Sequence, residues 1–332
     1  MPKNSAKQES VVDHGGNFDI EQKLNEVAEK ITTIEGWKAY IEQFSELCCR
    51  RCANYEISKS KKKSEGAKLE KPIAVITAGQ PGAGKTPLIE LLRKCVKEEY
   101  GIEPVFNNAD LYRFCVPGTD KITRDFPEQA SMVTDPVVKL ARKYLIEESI
   151  NNRQSTIIEN TLGDTRAVKQ IMDSEIYDIF IAVLAVPREE SLLSDFERYI
   201  KMKESCDAAR LVSIEAHDIR YNALDKNIND LNDQRIRIQV YSRGERDGDD
   251  PIKLYDSSKK STRFISIQES IDFARTQTFK KGISTYESRL NKIREKLTEF
   301  GMTVEEEKEL EKLEDIINKV IEQEKEGWGY DD

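Results

Sequence analysis

The pattern of apolar and polar positions changes near residue 70. Between residues 18 and 57 apolar side chains recur every three or four positions, which predicts two amphipathic helices with a break near residues 33 to 36. Residues 1 to 16 are polar and are expected to form a disordered tip, and the basic stretch SKSKKKSEGAKLEK is expected to be a solvated linker. The first 66 residues are therefore predicted to be a helical extension that precedes the main domain.

Beyond the linker, short apolar runs alternate with helical patterns. Strands are predicted at PIAVITAG, GIEPVFNNAD, STIIEN, YDIFIAVLAV, RIRIQVYSR and KLYDSS. Strands that alternate with helices form βαβ crossovers, which build a mainly parallel sheet with helices on both faces. The predicted fold class is therefore α/β, with this domain at residues 67 to 300 and an acidic helix at residues 301 to 332.

Charge and hydropathy narrow the class of protein. The formal net charge is −9 in 332 residues, which does not favour a nucleic-acid partner or binding to an anionic membrane surface. No run approaches the roughly 18 apolar residues of a membrane span, and the first residues lack the apolar core of a secretory signal. A cytoplasmic protein without nucleic-acid or membrane partners is expected.

The cysteines raise the question of a metal site. Three of the six stand in CCRRC, where Cys48 and Cys52 are one helical turn apart. No second CxxC and no nearby histidine completes a zinc site. Reduced, partly buried thiols are therefore favoured over a metal site.

A phosphate-binding loop follows the first predicted strand. The sequence GQPGAGKT fits G-x-x-x-x-G-K-[ST] in full, between a strand and a helix as the motif requires. Glycines let backbone N–H groups converge on phosphate oxygens, and the helix N-terminus adds partial positive charge. Lys85 is predicted to bind the β- and γ-phosphates of ATP or GTP, and Thr86 to bind Mg²⁺. The predicted nucleotide-binding residues are Gly79, Gln80, Pro81, Gly82, Ala83, Gly84, Lys85, Thr86 and Pro87.

The next strand pattern predicts the acceptor side. The sequence has neither the N-K-x-D motif of GTPases nor the acidic pair expected of a motor ATPase. The pattern VFNNAD instead ends at Asp110, across the predicted crevice from the γ-phosphate, where a general base would accept the proton of an attacking hydroxyl. A helix N-cap is the alternative role for Asp110. These features favour a small-molecule kinase.

The order of the motifs resembles the zeta toxin family of P-loop kinases. GQPGAGKT and the strand ending at Asp110 are followed by IIENTL, FERYI, AARLVSIEAHD, IQVYSR and LYDS, and the similarity runs from about Pro72 to Gly282. The resemblance implies a three-layer P-loop NTPase fold with a helical lid and helical extensions at both ends. It also implies a kinase that uses ATP and Mg²⁺ to phosphorylate the sugar 3′-hydroxyl of UDP-N-acetylglucosamine or a related UDP-amino sugar. Such kinases are the toxins of toxin–antitoxin systems and are silenced by a small helical antitoxin.

The resemblance assigns roles to individual residues. Lys85 becomes the γ-phosphate lysine and Asp110 the base. Arg198 of FERYI and Arg210 of AARLV become the lid arginines, because the charge on a transferred phosphoryl group needs planar, always charged donors. The implied substrate-binding residues are Asp110, Arg113, Glu159 and Thr161.

Departures from the family pattern leave the acceptor open. An acidic residue usual on the helix before IIEN has no clear match, and Lys139, Arg142 and Lys143 stand around that position. Gly163 replaces an arginine usual after TL. The alternatives are a kinase of another small hydroxyl acceptor, such as an antibiotic, nucleoside or metabolite, and a catalytically silent nucleotide-binding module. His217 in EAHD is expected to be a structural residue.

The N-terminal helices have two possible roles. Neither helix can bury its apolar face alone, so the pair must pack on the kinase or on a partner. In the first role the pair completes the kinase core. In the second it acts in cis as a tethered inhibitor that replaces an antitoxin supplied in trans, because a linker gives a high effective concentration. The packing role is favoured.

Overall fold

The computed structural model describes residues 17–64, 66, 69–205, 209–231, 233–244, 249–259 and 264–327, without the side chains of residues 17–19, 109–110, 127–128, 280–282 and 326–327. The tip predicted at residues 1–16 lies outside the described residues.

Helices take up most of the described chain. They are α1 Asn17–Ala28, α2 Ile34–Lys63, α3 Lys85–Tyr100, α4 Asp120–Asp125, α5 Pro127–Asn151, α6 Arg166–Asp173, α7 Arg188–Glu204, α8 Ile214–Asp230, α9 Ile267–Phe300 and α10 Val304–Gly327, with a short 3-10 helix at Ala109–Tyr112. Within the described residues, no helix combines the length and the apolarity that crossing a membrane requires.

The strands form one six-stranded sheet. They are β1 Ile73–Ala78, β2 Val105–Asn107, β3 Thr156–Glu159, β4 Asp178–Leu184, β5 Ile236–Ser242 and β6 Ile252–Asp256. Their order is β2-β3-β1-β4-β5-β6, and every neighbouring pair is parallel except β5 and β6. This confirms the predicted α/β fold with a mainly parallel sheet.

Helices cover both faces of the sheet. Along β1, Ile73 and Val75 point to one face and pack with α3, whereas Ala74 and Ile76 point to the other face and pack with α6, α8 and α9. Because β1 is buried along its whole length, its sequence is apolar at every position except Thr77 rather than alternating. The result is the predicted three-layer arrangement.

Helices α1 and α2 share a hydrophobic cluster with α5. Trp37 is fully buried in this cluster together with Val133 and Val137 of α5. The hydroxyl oxygen of Tyr40 lies 3.0 Å from the carbonyl oxygen of Leu24 and 2.9 Å from that of Pro117, so it joins α1 to the segment before α4. The N-terminal helices therefore belong to a packed core of the protein.

Helix α2 is longer at its C-terminal end than the sequence pattern predicted. It begins after Thr33, whose hydroxyl caps it by accepting a hydrogen bond from the Gly36 N–H at 3.1 Å. It continues to Lys63, so residues 58–63 are helical rather than part of a linker. A buried contact holds this last part of the helix against the protein: the Ser60 hydroxyl donates a hydrogen bond to the Glu103 carbonyl at 2.7 Å.

The last two helices pack against α7. Their shared cluster includes Leu193 and Phe196 of α7, Leu290 of α9 and Leu313 of α10. In addition, Glu309 of α10 accepts a hydrogen bond at 2.7 Å from the backbone N–H of Ile214, where α8 begins. Helices α9 and α10 thus hold α7 and α8 in place beside the carboxyl edge of the sheet.

Candidate active site

In the loop between β1 and α3, Gly82 and Gly84 adopt the left-handed backbone that favours glycine. Gly82 has φ +72°, and a Cβ atom there would lie 1.9 Å from the Ser191 carbonyl oxygen. Gly84 has φ +82°, and a Cβ atom there would lie 3.3 Å from Arg243 Nε. Both glycines therefore serve the left-handed backbone, and Gly82 also permits the close approach of α7.

Lys85 is turned into the loop. Its side chain is buried, and Nζ donates hydrogen bonds to the carbonyl oxygens of Gly79 at 2.8 Å and Gln80 at 3.1 Å. A buried ammonium beside the N-terminus of α3 is a site for phosphate, since both features carry positive charge. The predicted nucleotide-binding residues are thus gathered in one loop.

The residues at the start of α3 also suit a magnesium ion. Thr86 is exposed at the first turn of this helix. Among the described side chains, no group of three or more His, Cys, Asp or Glu residues forms a metal cage. Magnesium bound with a nucleotide needs no such cage, because phosphate oxygens and water supply most of its ligands. A single hydroxyl from Thr86 fits that requirement.

A buried chain of hydrogen bonds supports the loop from α7 and α8. Gln80 Nε2 donates to the Val186 carbonyl at 2.7 Å and to Ser191 Oγ at 3.1 Å. Ser191 Oγ lies 2.9 Å from His217 Nε2, and His217 Nδ1 lies 3.2 Å from Asp218 Oδ1. Burial lowers the pKa of His217, so its imidazole is neutral and Nδ1–H donates to Asp218. His217 stands behind the loop, which supports the structural role predicted for it.

A second group of contacts, which sequence reasoning missed, holds the loop from the other side. Arg243 donates hydrogen bonds to the carbonyl oxygens of Gly82 at 2.5 Å and Ala83 at 3.0 Å, and to Glu190 at 2.6 Å. Arg289 of α9 pairs with the same Glu190 at 2.8 Å. Helix α9 is therefore tied to the phosphate loop through two arginines and one buried carboxylate. The only sequence signal was the position of Arg243 at the end of the motif IQVYSR.

The acceptor-side segments meet at the same edge of the sheet. Thr77 of β1 is in register with Glu159 at the end of β3, and Ile158 is in register with Asn107 at the end of β2. Strand β2 ends at Asn107, so Asp110 lies in the following 3-10 helix and not at the strand end that was predicted. The Asp110 side chain lies outside the described part of the structure, and its role as base remains a prediction.

The loop after β3 is fixed by its own hydrogen bonds. Glu159 and Thr161 are half-buried, and Thr161 Oγ1 accepts a hydrogen bond from the Gly163 N–H at 3.3 Å. Leu162 has φ +52°, which is unfavourable for leucine, and its carbonyl accepts a hydrogen bond at 2.6 Å from Asn227 of α8. Such strain persists where surrounding contacts impose it, and it often marks a functional loop.

Arg113 points into the protein. Its Nη1 donates to the Ser131 carbonyl at 2.9 Å, to Thr134 Oγ1 at 2.8 Å and to Asp135 Oδ1 at 3.0 Å. These contacts anchor the segment after the 3-10 helix to α5. The predicted contact between Arg113 and substrate remains a prediction beside this structural role.

The two predicted lid arginines are half-exposed and pair with different carboxylates. Arg198 Nη2 lies 2.5 Å from Oδ1 of Asp195, which is buried, on the same helix α7. Arg210 Nη1 lies 3.5 Å from Oδ1 of Asp135, the carboxylate that also binds Arg113. Arg198 therefore belongs to the loop side of the cleft, and Arg210 links α5 to the segment between α7 and α8.

Comparison with known proteins finds relatives of this chain. A sequence model of the zeta toxin family matches residues 56–260. Toxin PezT of Streptococcus pneumoniae serotype 4 is 27% identical over 241 residues, which cover 70% of this chain and 91% of PezT. Toxin zeta of Streptococcus agalactiae is 27% identical over 210 residues, which cover 61% of this chain and 69% of that protein.

A solved structure shares the fold. A chain from the PezAT chromosomal toxin–antitoxin system of Streptococcus pneumoniae superposes with a TM-score of 0.60 at 22% identity, over 74% of this chain and 96% of that chain. The family match covers more than half of the sequence and includes the phosphate loop, the loop after β3 and both predicted lid arginines. The protein belongs to the zeta toxin family.

Proposed function

We propose that this protein is a kinase that transfers the γ-phosphoryl group of ATP to the sugar 3′-hydroxyl of UDP-N-acetylglucosamine or a related UDP-amino sugar. The supporting observation is the phosphate loop with its buried Lys85, which lies at the same sheet edge as the loop containing Glu159 and Thr161. Open α/β sheets bind their ligands at this edge. Family membership supports the reaction type, and the choice of acceptor is the finer part of the proposal.

On the donor side, the loop amides and Lys85 bind the phosphates. The ammonium of Lys85 must leave the carbonyl oxygens of Gly79 and Gln80 to reach the β- and γ-phosphate oxygens. Thr86 would hold Mg²⁺, which neutralises charge on those oxygens when it is bound. The side chains of Gln80 and Arg243 keep the loop in shape while the lysine moves.

On the acceptor side, Asp110 accepts the proton of the attacking hydroxyl. Glu159, Thr161 and Arg113 bind the sugar nucleotide, with Thr161 held by the rigid loop after β3. Arg198 and Arg210 bind the phosphoryl oxygens as charge develops on them, and their half-exposed side chains leave them accessible from the cleft.

We also propose that the protein is the cytoplasmic toxin of a toxin–antitoxin system. Its relatives are named toxins, and one solved relative comes from a toxin–antitoxin system. A helical antitoxin supplied in trans is the expected partner. The packing of α1 and α2 into the cluster around Trp37 supports a structural role for residues 1–66 rather than inhibition in cis. Residues 67–300 then form the kinase domain and residues 301–332 the acidic helix.

The proposal is tested by mass spectrometry of an acceptor panel. Full-length protein is incubated with Mg²⁺, ATP and, in separate reactions, UDP-N-acetylglucosamine, UDP-N-acetylgalactosamine, UDP-glucose and free N-acetylglucosamine. We expect one UDP-amino sugar to gain a single phosphoryl group, at the 3′-hydroxyl by NMR, and the free sugar to remain unchanged. Phosphorylation of an acceptor that lacks UDP would contradict the acceptor assignment, and no product from any acceptor would contradict the kinase proposal.

A further inference from the structure

A buried carboxylate on α7 lies among the cations of the phosphate site. The residue is Asp195, which is only 2% exposed. Its Oδ1 is 2.5 Å from Arg198 Nη2, and the backbone N–H of Val212 lowers its pKa by stabilising the charged form. Lys85 and Arg210 also act on its charge. One anion is thus in electrostatic reach of the phosphate lysine and both predicted lid arginines.

The backbone around Asp195 touches the phosphate loop. A Cβ atom at Gly82 would lie 1.9 Å from the Ser191 carbonyl oxygen and 3.0 Å from the Asp195 backbone nitrogen. This turn of α7 therefore lies directly against the loop, with no side chain between them. A side chain that starts at Asp195 has its position fixed relative to the bound phosphates.

Burial makes the charged form of Asp195 unfavourable relative to its neutral form. Removal from water raises the pKa of Asp195, and the neighbouring cations offset this by favouring its charged form. A buried carboxylate restricts the groups that pair with it, because a partner that moved away would leave the negative charge buried and uncompensated. The partners are the Arg198 side chain, on the same helix, and the backbone of Val212, two residues after Arg210.

The lid arginines need such ordering. Arginine has a long side chain with many rotamers, and holding it in one geometry before the reaction removes an entropic cost from the transition state. The bond to Arg198 restricts one guanidinium, and the attraction between the carboxylate and the Val212 N–H favours one position of the backbone that carries the other. We propose that Asp195 is a positioning residue that sets both lid arginines over the phosphate site, an inference that rests on the proposed kinase function.

This role predicts opposite effects on binding and on turnover. The negative charge of Asp195 opposes the binding of a polyanion to Lys85, Arg198 and Arg210, so its removal leaves ATP affinity unchanged or makes it tighter. The same removal releases the arginines from their positions, so turnover falls. A simple folding defect would instead weaken both.

The test measures ATP affinity and phosphoryl transfer in the full-length Asp195→Asn protein with Mg²⁺. We expect ATP to bind at least as tightly as to the wild type by calorimetry, and single-turnover transfer to fall by roughly tenfold to a hundredfold. Asp195→Glu restores part of the rate because it returns the charge. Asp256→Asn is the control, since Asp256 of the edge strand β6 is an equally buried carboxylate that pairs with Arg237 of β5 at 2.7 Å. It should lose stability but keep ATP affinity and turnover.

A double variant shows whether Asp195 acts through Arg198. Transfer by Asp195→Asn/Arg198→Gln should be slower than transfer by Arg198→Gln alone only through the loss at Arg210, so the combined loss in rate should be smaller than the product of the two single losses. If the losses in transfer rate of the two single variants multiply in full in the double variant, the inference is wrong. Weaker ATP binding by folded Asp195→Asn protein would also overturn it. If the wild type phosphorylates no acceptor, the proposed function fails. The role of Asp195 is then decided by the ATP affinity of the same variants and by their slow ATP hydrolysis, in which water takes the place of the acceptor.

Discussion

Gly82 shows how a single residue shapes the phosphate site. Its left-handed backbone and its contact with α7 both exclude a side chain, with a Cβ atom predicted 1.9 Å from the Ser191 carbonyl oxygen. The oxygen is part of a helix backbone and cannot turn aside. Lys85 and the loop amides gain a fixed geometry from this contact, because loop and helix can approach only where no side chain intervenes.

Gly82→Ala should damage the site beyond the cost of its backbone angle. Gly101→Ala is the matched control, because Gly101 has φ +68° and nothing within 4 Å of a Cβ atom. The control should lose about 1–2 kcal/mol of stability from the left-handed backbone alone. Gly82→Ala should lose more in urea unfolding and should also weaken ATP binding, which the control retains. Equal effects on stability and unchanged ATP binding would mean that α7 moves away from the loop at little cost.

Asp110→Asn separates catalysis from nucleotide binding. If Asp110 is the general base, the substitution removes the group that accepts the proton but no contact to ATP. Turnover should fall by roughly two to four orders of magnitude, while ATP affinity by calorimetry stays near the wild-type value. Normal turnover in this variant would leave Asp110 with only a structural role in the 3-10 helix.

His217 should make the fold sensitive to mild acid. Burial lowers the pKa of His217 below its ordinary 6.5, with Arg188 and Arg220 adding to that effect and Asp218 opposing it. Below pH 6.5 the His217 imidazole binds a proton in the unfolded state but not in the folded state. The free energy of unfolding is therefore highest above that pH and decreases as the pH falls. The loss is at most about 1.4 kcal/mol per pH unit.

The measurement is urea unfolding of the wild type and His217→Gln at pH 7.5, 6.0 and 5.0. The variant should be less stable at pH 7.5, because Ser191 loses its buried partner. The difference between the two proteins should shrink as the pH falls. A constant difference across the three pH values would show that His217 does not titrate with folding.

At the scale of elements, the N-terminal helices are held by contacts to the acceptor side. Tyr40 joins α1 to the carbonyl of Pro117, and Lys121 of α4 donates to the Glu29 carbonyl at 2.7 Å, just after α1 ends. On α2, Cys49 Sγ lies 3.4 Å from Cys115 Sγ. The segment after Arg113 therefore packs against the N-terminal helices. Loss of these helices should disturb the active site because it destabilises this segment.

Deletion of residues 1–66 should destabilise the protein without activating it. The truncation uncovers the side of α5 that packs against Trp37 and Ile41, and each large side chain buried there contributes on the order of 1.5–3 kcal/mol. Solubility and urea unfolding report the loss. Deletion of residues 1–33 alone is the milder variant, because α2 and its cluster remain. Higher turnover or stronger toxicity in a bacterial host for either folded truncation would show that the extension is an inhibitor in cis.

At the scale of the whole molecule, the sequence predicts features that short motifs encode, but not contacts between residues that are far apart in the chain. The phosphate loop and the alternation of strands and helices that builds a mainly parallel sheet follow from short motifs and apolar runs, whereas the order of the strands in the sheet does not. Arg243 is 161 residues from Gly82, and Arg289 is 99 residues from Glu190, so neither pair has a sequence signature. The helical end of α2 was hidden because its basic residues resemble a linker, while the buried contact of Ser60 was invisible.

Asp195 illustrates the same limit within the site. Asp195 stands directly before the motif FERYI, but no sequence pattern assigned it a role, and only the fold brings Lys85 and the segment near Val212 to it. Family resemblance pointed to the arginines, but the carboxylate that orders them is visible only in three dimensions. Functional residues that act through others are therefore the part of a site that sequence patterns reveal least.

The most direct measurement is γ-phosphoryl transfer from labelled ATP to UDP-amino sugars by the wild type and by Lys85→Ala. Lys85 is buried in the loop and supplies charge that matters most as the phosphoryl group moves. The wild type should produce a phosphorylated UDP-amino sugar, and Lys85→Ala, if it shows the same circular dichroism, should produce none above background. Equal transfer by the two proteins would mean that the phosphate loop is not the active site.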